Sequence, residues 1–216
     1  MTYSEEDYIK AIYHLSKDPK SYASTSAIAA RLDTKASSVT DMIQKLSDKK
    51  VVHYKKYQGV RLTEKGEVYA ASIVRKHRLW EYFLVEKLNF SWDEVHDVAE
   101  ELEHIKSDKL IERLDAFLDY PKRDPHGDPI PDEFGKLPDI KKVLLSNLNA
   151  DQSGIVIGVK DSSSKFLRYL DKLDIALGTS IRVLDKEAFD NSMTILIDEK
   201  IINISALTAA NIFIKT

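Results

Sequence analysis

The sequence has 216 residues, of which 43% are hydrophobic and 31% are charged, with a formal net charge of −3. A chain of this length can bury a core unaided, and the absence of cysteine excludes disulfides, thiolate metal sites and thiol catalysis. No run of about 18 apolar residues is present, which excludes a membrane-spanning helix. The start, MTYSEEDYIK, lacks the apolar segment of a signal peptide. We expect a cytoplasmic protein without a membrane partner.

The charge is distributed unevenly along the chain. Residues 1–66 hold 12 Lys or Arg and 8 Asp or Glu, a net of +4, so the remaining residues sum to −7. Within residues 45–65 there are 7 basic and 2 acidic residues. A basic patch on an acidic chain indicates a surface that contacts phosphates, although a solvated helix end beside a hairpin would carry the same charges.

The N-terminal part predicts three helices followed by a β-hairpin. The first helix begins at Ser4, which forms a capping pattern with Asp7, and the third begins at Lys35. Two β-rich runs flank a turn at Gln58-Gly59 and predict the hairpin. This order is that of a winged helix-turn-helix domain, which we place at residues 1–64.

The rest of the chain predicts a helical region and then a β region, so that the fold is mainly α with β. A long helix reaches Leu88, and the broad apolar faces of this region favour a homodimer interface. Five of the six prolines lie in a short segment that is typical of a linker. We predict a helical domain at residues 65–140, with a Pro-rich linker at 119–140, and a small SH3-like β-barrel at 141–216.

The start of the third helix carries the kind of side chains that are found in the recognition helix of a DNA-binding domain. Short side chains there let the backbone approach bases and phosphates, glutamine could read adenine, and lysines suit phosphates. The candidate contacts with double-stranded DNA are Lys35, Ala36, Ser37, Ser38, Thr40, Gln44 and Lys45, with Lys55 and Lys56 at the hairpin tip. Serine and threonine are also common at ordinary helix starts, so the prediction depends equally on the hairpin and the local charge.

Two predicted helices carry histidines and carboxylates at helical spacing. The two sets are His77 and Glu81 on one helix, and His96, Glu100, Glu103 and His104 on the next. Each set shares one helix face, where the like charges repel one another unless a divalent cation is bound. Nitrogen and oxygen donors without sulfur favour Mn²⁺, Fe²⁺ or Zn²⁺. The alternative is a chance cluster on an exposed face.

Several segments resemble the diphtheria toxin repressor family of metalloregulators. They are RKHRLWEYFL, DEVHDVAEELEHIKSD and DPHGDPIP, and the resemblance extends from SEEDYIKAIYHL to FLRYLDKLDIALGTSIRVL, which covers nearly the whole chain. It implies a winged helix-turn-helix, a helical dimerisation domain and a C-terminal SH3-like (FeoA-type) domain. It also implies a metal-dependent repressor that binds operator DNA as a homodimer and controls metal uptake genes.

The resemblance further implies a primary regulatory site. Its expected ligands are Asp7, Glu100, Glu103 and His104, with His77 as an additional candidate. Asp7 stands where iron-responsive members carry Met, and Glu100 where they carry Cys. Both positions hold hard oxygen ligands, as in the manganese-responsive branch. We therefore expect Mn(II) as the metal, with Fe(II) second and Zn(II) or other divalent metals as substitutes.

One departure from the family pattern concerns the number of ions. Two-domain manganese regulators have a second acid three residues after the first, and this sequence has Lys10 there, which puts their two-metal cluster in doubt. Three-domain relatives build an ancillary site instead. The matching candidates are Glu81, His96, Asp124, His126 and Asp161. A solvated loop histidine is the alternative for His126.

Two other classes of protein remain as alternatives. A winged-helix regulator of a non-metal small ligand would bind DNA equally well with and without a chelator. A carboxylate-bridged di-iron enzyme needs two Glu-x-x-His motifs, and the sequence has one, at Glu101 and His104. No Ser-His-Asp order or phosphate loop is present, so we expect no enzymatic activity and no catalytic residues.

Overall fold

A computed structural model describes residues 1–16, 21–138 and 141–216. The chain forms two compact units, each built from segments that are separated in sequence. Unit 1 comprises Met1–His77, Glu100–Leu114 and Pro131–Leu137, and unit 2 comprises Arg78–Ala99, Asp115–Ile130 and Pro138–Thr216. The last two residues of the predicted linker, 139 and 140, lie outside the described residues.

Unit 1 begins with three helices and a two-stranded antiparallel sheet. These are α1 (Tyr3–Leu15), α2 (Thr25–Arg31), α3 (Ala36–Asp48), β1 (Val52–Lys55) and β2 (Gly59–Leu62). In the hairpin, Val52 pairs with Leu62 and Lys55 pairs with Gly59. The winged helix-turn-helix fold expected from the sequence is confirmed.

The core of unit 1 joins α1 to α3. Ile9 and Ile12 of α1 and Val39, Ile43 and Leu46 of α3 are fully buried in one cluster. Burying one such side chain stabilises the fold by about 1.5–3 kcal/mol. Because these residues occupy one face of α3, the opposite face of that helix is left exposed.

The start of α1 differs from the prediction. The N-cap is Thr2, whose hydroxyl accepts the Glu5 N–H at 3.3 Å while the Glu5 carboxylate accepts the Thr2 N–H at 2.9 Å. The predicted cap between Ser4 and Asp7 was wrong because Thr2 and Glu5 form the same motif one half-turn earlier. Asp7 therefore lies inside the helix, and its carboxylate is not used for capping.

Three helices contribute residues to both units: α4 (Glu64–Leu88), α5 (Val95–Leu102) and α6 (Asp108–Phe117). Gly66, in the first turn of α4, passes so close to the chain that a Cβ atom would lie 2.0 Å from the Val51 carbonyl oxygen, so this position requires glycine. Across the described segments, no helix combines the length and the apolar character needed to cross a bilayer.

The C-terminal part of unit 2 is an antiparallel sheet with two short helices. Its elements are β3 (Val143–Leu144), β4 (Ser153–Val159), α7 (Ser164–Asp171), β5 (Ser180–Lys186), β6 (Met193–Ile197), β7 (Lys200–Ile204), α8 (Ala206–Ala209) and β8 (Ile212–Lys215). The six strands lie in the order β3-β8-β4-β5-β6-β7. The expected small β domain is confirmed, but β3, α8 and β8 were not predicted because two to four residues are too few to show a period.

The Pro-rich segment forms two ordered turns. In the first, the Asp124 carboxylate accepts the backbone N–H groups of His126 at 2.8 Å and Asp128 at 2.9 Å. Asp132 makes the same pair of contacts in the second turn. The first turn belongs to unit 2 and lies against β4, where the Val159 N–H donates to the His126 carbonyl at 3.0 Å. Both Asp124 and His126 are thereby held in fixed positions.

Candidate metal centre

Three of the expected primary ligands meet in unit 1. Asp7, Glu103 and His104 each offer a donor atom, and these atoms lie within 4.8 Å of one another. Asp7 lies on α1, whereas Glu103 and His104 directly follow α5. The Asp7 Oδ1 atom is 3.2 Å from the His104 Nε2 atom. We refer to these three residues as the primary cluster.

A second carboxylate, which the sequence reasoning missed, orients His104. The Nδ1 atom of His104 lies 2.7 Å from Oε2 of the buried Glu6, and the Tyr69 hydroxyl donates to the other Glu6 oxygen at 2.6 Å. Tyr3 stacks on the imidazole with the ring centroids 4.6 Å apart. A carboxylate on one imidazole nitrogen leaves the other nitrogen for a metal, so Nε2 of His104 is presented towards Asp7.

The signal for Glu6 was present in the sequence as a run of three acids at the start of α1. Glu5, Glu6 and Asp7 are consecutive, and the three side chains have three different roles. Glu5 caps α1, Glu6 holds His104, and Asp7 belongs to the primary cluster. Of the three, the sequence predicts a role for Asp7 alone.

Glu103 is fully buried and contacts two nitrogen groups. Its two oxygens lie 2.8 and 2.7 Å from the Lys10 Nζ atom, and its Oε2 atom lies 2.8 Å from Nδ1 of His77. Lys10 also donates to Glu100 at 2.6 Å. Glu100 and His77 are therefore connected to the primary cluster through Lys10 and Glu103. The sequence had marked Lys10 as a departure from the family without predicting these contacts.

The electrostatics of Asp7 favour a bound cation. Burial raises the pKa of the Asp7 carboxyl, and the charges of Glu103 and Glu100 raise it further, while His104 and Lys10 oppose that shift. A divalent ion would offset both the burial and the repulsion. One imidazole nitrogen of fixed orientation and two carboxylates without sulfur form a donor set that fits Mn²⁺, Fe²⁺ or Zn²⁺.

Three of the expected ancillary ligands meet in unit 2. Glu81, Asp124 and His126 are all buried, and their donor atoms lie within 4.8 Å of one another. The His126 Nδ1 atom is 3.6 Å from Glu81, and its Nε2 atom is 2.7 Å from the Trp92 carbonyl oxygen. His96 lies 3.5 Å from Glu81, but its side chain is 55% exposed. We refer to Glu81, Asp124 and His126 as the ancillary cluster.

In the ancillary cluster, the pKa values of Asp124 and His126 are both shifted upwards. Burial raises the pKa of Asp124, and the charge of Glu81 adds to that shift. Burial alone would lower the pKa of His126, but the nearby carboxylates of Glu81 and Asp124 raise it to about 9. Arg78 lies 3.4 Å from Asp124. The structure does not bring Asp161 into this set, since its side chain is exposed and its carboxylate accepts a backbone N–H two residues further on.

The candidate DNA contacts form an exposed surface. In the structure, exposed side chains are found at Lys35, Ala36, Ser37, Ser38, Thr40, Gln44, Lys45, Lys55 and Lys56. The Thr40 hydroxyl donates to the Ala36 carbonyl at 3.1 Å, and the Gln44 amide donates to Asp48 at 3.2 Å. Tyr57 at the hairpin tip is 93% exposed, with the Lys56 ammonium 5.1 Å from its ring centroid.

Fold and site together define a class of protein. An exposed basic reading helix and a cluster of nitrogen and oxygen donors in one winged-helix chain are the features of a metal-responsive DNA-binding regulator. Three family models match the chain: iron dependent repressor, N-terminal DNA binding domain, at residues 1–60; iron dependent repressor, metal binding and dimerisation domain, at 63–132; and FeoA domain, at 143–216.

The chain belongs to the iron-dependent repressor family of metal-dependent transcriptional repressors, and the resemblance to the diphtheria toxin repressor family is confirmed. It is 38% identical to the HTH-type transcriptional regulator MntR of Oceanobacillus iheyensis, over 66% of this chain and 90% of that protein. The solved structure of a manganese-dependent transcriptional repressor in complex with manganese matches with a TM-score of 0.84 and 36% identity, over 97% of this chain and 98% of that one. ScaR with bound Cd²⁺ matches with a TM-score of 0.78 and 32% identity, over 98% of both chains.

Proposed function

We propose that this chain is a manganese-responsive repressor that binds operator DNA as a homodimer when a divalent ion occupies the primary cluster. The observation that carries the proposal is the 3.2 Å approach of Asp7 Oδ1 to Nε2 of His104, whose Nδ1 is held by Glu6. Mn(II) is the first choice because the donors are hard oxygens and one imidazole. Fe(II) is the second choice, and Zn(II) or other divalent metals act as substitutes.

The proposed ligands are Asp7, Glu103 and His104, with Glu100 and His77 beside them. A bound ion supplies the positive charge that draws Asp7 of α1 to the residues that follow α5. Because α1 and α3 share one buried core, holding Asp7 in place also holds the exposed face of α3. Because the ion binds more tightly to the state in which the recognition helix α3 is ordered than to the state in which it is mobile, metal binding shifts the equilibrium towards the ordered state.

The finer parts of the proposal follow from the same arrangement. Residues 1–64 read DNA, residues 65–140 bind metal and dimerise, with the Pro-rich linker at 119–140, and residues 141–216 form the FeoA domain. A homodimer presents two copies of α3 about 34 Å apart, which matches one turn of DNA. The ancillary cluster holds a further ion with His96 at its edge. The protein acts in the cytoplasm on metal uptake genes and catalyses no reaction.

A DNA-binding titration tests the proposal. The probe is a fragment that the protein itself selects from a random-sequence pool in the presence of Mn(II), and binding is followed by fluorescence anisotropy. We expect Mn(II) to raise the affinity by about 5- to 150-fold, the usual range of coupling between two sites, and a chelator to reverse the gain. Equal affinity with and without the chelator would instead support a regulator of a non-metal ligand.

Variants of the primary cluster assign that response to its residues. Glu103→Ala should abolish the effect of Mn(II) on DNA affinity, whereas Glu101→Ala, a neighbouring exposed carboxylate, should leave it unchanged. Since Glu103 is buried, its loss also weakens the fold. Asp7→Ala is the second variant, because its side chain is 38% exposed and its removal leaves the core intact. A full Mn(II) response in Asp7→Ala would contradict the ligand assignment.

The reading surface has a separate test. Lys45→Ala should weaken binding to every DNA sequence and reduce the slope of log K against log salt by about 1, because one phosphate contact is lost. The measurement is the same anisotropy assay repeated over a range of salt concentrations at saturating Mn(II). Lys165, an exposed lysine of α7, provides the control. If Lys45→Ala and Lys165→Ala show the same slope as the unmodified chain, the basic face of α3 does not contact DNA.

A further inference from the structure

The outer face of the β1–β2 hairpin carries a row of basic residues. Val60 and Leu62 of β2 are buried in the core of unit 1, so Arg61 between them points to the opposite face of the sheet. His53 of β1 lies opposite Arg61 in the strand register, and Lys55 lies two residues further along β1 on the same face. The face that is turned away from the core thus presents three basic side chains next to one another.

The Arg61 guanidinium lies on an aromatic ring. Its Cζ atom is 5.4 Å from the ring centroid of Tyr22. The residue after Tyr22, Ala23, pairs with Val60 on the side of β2 away from β1, through two backbone hydrogen bonds of 2.8 and 2.9 Å. Because Ala23 is buried and neighbouring side chains of an extended segment alternate between faces, Tyr22 reaches the outer face beside Arg61. Stacking on an aromatic face holds the plane of a guanidinium in place.

Within the described residues, the Arg61 guanidinium has no acceptor. Its buried Nε atom has no hydrogen-bond partner, and no carboxylate of the described segments forms an ion pair with the side chain. By contrast, Arg78, Arg168 and Arg182 each contact a carboxylate. Keeping Nε from water without an acceptor costs free energy, while the terminal N–H groups form a planar fork that matches two oxygens of a phosphate. Arg61 is therefore arranged to receive an anion from outside the chain.

We propose that Arg61, held in place by Tyr22, binds a phosphate of the DNA backbone, so that the outer face of the hairpin extends the DNA-binding surface beyond α3. The inference rests on the proposed function, because it takes the chain to bind DNA. A polyanion is the partner that fits a row of basic residues, since Lys55 and His53 lie about 7 Å apart along one strand. Lys55 is also a candidate DNA contact at the hairpin tip. The DNA backbone supplies negative charges at regular intervals along such a row.

A phosphate contact has two measurable properties. It positions the protein without reading sequence, so its loss should weaken binding to every DNA sequence by a similar factor. One lost contact should also reduce the slope of log K against log salt by about 1. An arginine that served only to pack on Tyr22 would leave both properties unchanged in a variant that folds normally.

The experiment uses the full chain at saturating Mn(II) and the anisotropy assay, with the selected DNA fragment and an unrelated one. We expect Arg61→Gln to weaken binding to both fragments about tenfold, the effect of one hydrogen bond to a charged group, and to reduce the salt slope by about 1. Tyr22→Leu keeps the charge but not its fixed orientation, so it should weaken binding by about threefold at an unchanged slope. The control is Arg182→Gln on β5, because Arg182 already pairs with Asp151, and it should match the unmodified chain.

Ethylation interference locates the contact on the DNA. Ethylation of the phosphate that Arg61 binds should reduce the affinity of the unmodified chain, and Arg61→Gln should be insensitive to ethylation at that position. Lys45→Ala should remain sensitive there, because its lost contact is a different phosphate. A new selection from the random-sequence pool with Arg61→Gln should return the same sequence as the unmodified chain, since a phosphate contact carries no base information.

The outcomes separate this inference from the proposed function. If the unmodified chain binds no DNA in the presence of Mn(II), both proposals fail. If Lys45→Ala reduces the salt slope and Arg61→Gln does not, the role of Arg61 alone is overturned. A changed sequence preference in Arg61→Gln would overturn it as well, because Arg61 would then read bases, and an unchanged affinity in Tyr22→Leu would overturn the role of Tyr22. If Arg61→Gln folds poorly, Arg61→Met still packs on Tyr22, and an unchanged slope for that variant overturns the proposal.

Discussion

The primary and ancillary clusters use the same donor types, one imidazole and two carboxylates, but they neutralise the acids differently. The primary cluster keeps Asp7 partly exposed and receives an ammonium from Lys10. The ancillary cluster is wholly buried, and Arg78 is its neighbouring cation. Burial raises the pKa of both Asp7 and Asp124, but solvent reaches Asp7 alone. The primary cluster therefore suits an ion that exchanges with solvent, and the ancillary cluster suits a structural ion that stays bound.

The origin of the donors supports this contrast. The primary donors come from α1 and from the residues that follow α5, so an ion there acts on the helix that shares a core with α3. The ancillary donors come from α4 and from the turn that lies against β4. An ion there would hold that turn in place. We therefore expect changes at the primary cluster to alter the metal response, and changes at the ancillary cluster to alter stability.

The largest expected effect concerns the stability of the ancillary cluster. His126→Ala should lower the free energy of unfolding by about 3 kcal/mol in chelator, because it removes the buried imidazole that faces the buried carboxylate of Glu81. The measurement is urea denaturation. His96→Ala is the matched control, since His96 faces the same Glu81 from a mainly exposed position and should cost less than about 1 kcal/mol. An equal free energy of unfolding for His126→Ala and the unmodified chain would contradict the structural role that we assign to the ancillary cluster.

The next effect sharpens the contrast at the primary cluster. Glu6→Gln should weaken Mn(II) binding by about 10- to 100-fold, because the carboxylate on Nδ1 of His104 fixes the tautomer and strengthens the other nitrogen as a ligand. Isothermal titration with Mn(II) gives the dissociation constant. An unchanged constant would show that the contact between Glu6 and His104 has no part in metal binding.

The smallest effect belongs to the control for that variant, Glu5→Gln on the same helix. Lys49 and the Thr2 N–H hold the pKa of Glu5 below its ordinary value of 4.5. A lowered pKa stabilises the folded state fully above pH 4.5, the ordinary pKa of the group, and this stabilisation is lost as the pH falls through the lower pKa of the folded state. Glutamine can still accept the Thr2 N–H in the capping box, but Glu5→Gln loses the charged contact with Lys49. It should therefore cost up to about 1 kcal/mol at neutral pH, with the difference vanishing in acid, and should leave Mn(II) binding intact. If Glu5→Gln also weakened Mn(II) binding, the effect of Glu6→Gln would come from destabilisation of α1 and not from the contact between Glu6 and His104.

Local patterns predicted the reading helix and the hairpin because those elements depend on neighbours in sequence. The period of Val39, Ile43 and Leu46 implied which face of α3 would be buried, and all three are buried. The N-cap of α1 was predicted at Ser4 and lies at Thr2, because two overlapping capping motifs occur at this helix start. Local patterns also left out the β8 strand, which is too short to show a period.

The candidate ligands were predicted less evenly. The spacing of His96, Glu100, Glu103 and His104 predicted a single helix face, but α5 ends at Leu102, so Glu103 and His104 lie in the turn that follows it. The resemblance added Asp7, which the structure brings beside His104. Asp161 was expected near His126, but it is exposed and lies outside the ancillary cluster. The loop that carries Asp161 has no period from which the direction of its side chain could be inferred.

By itself the sequence determined the helical periods, the chemistry of the donors and the basic face of α3, because each of these is a property of residues within a few turns of one another. The tertiary structure alone decided which donors share a cluster, which carboxylate orients His104, and that Lys10 supplies a cation to Glu103. Glu6 and His104 are separated by 98 positions, and Lys10 and Glu103 by 93. Contacts over such distances arise from how helices pack, and no local pattern of residues encodes them.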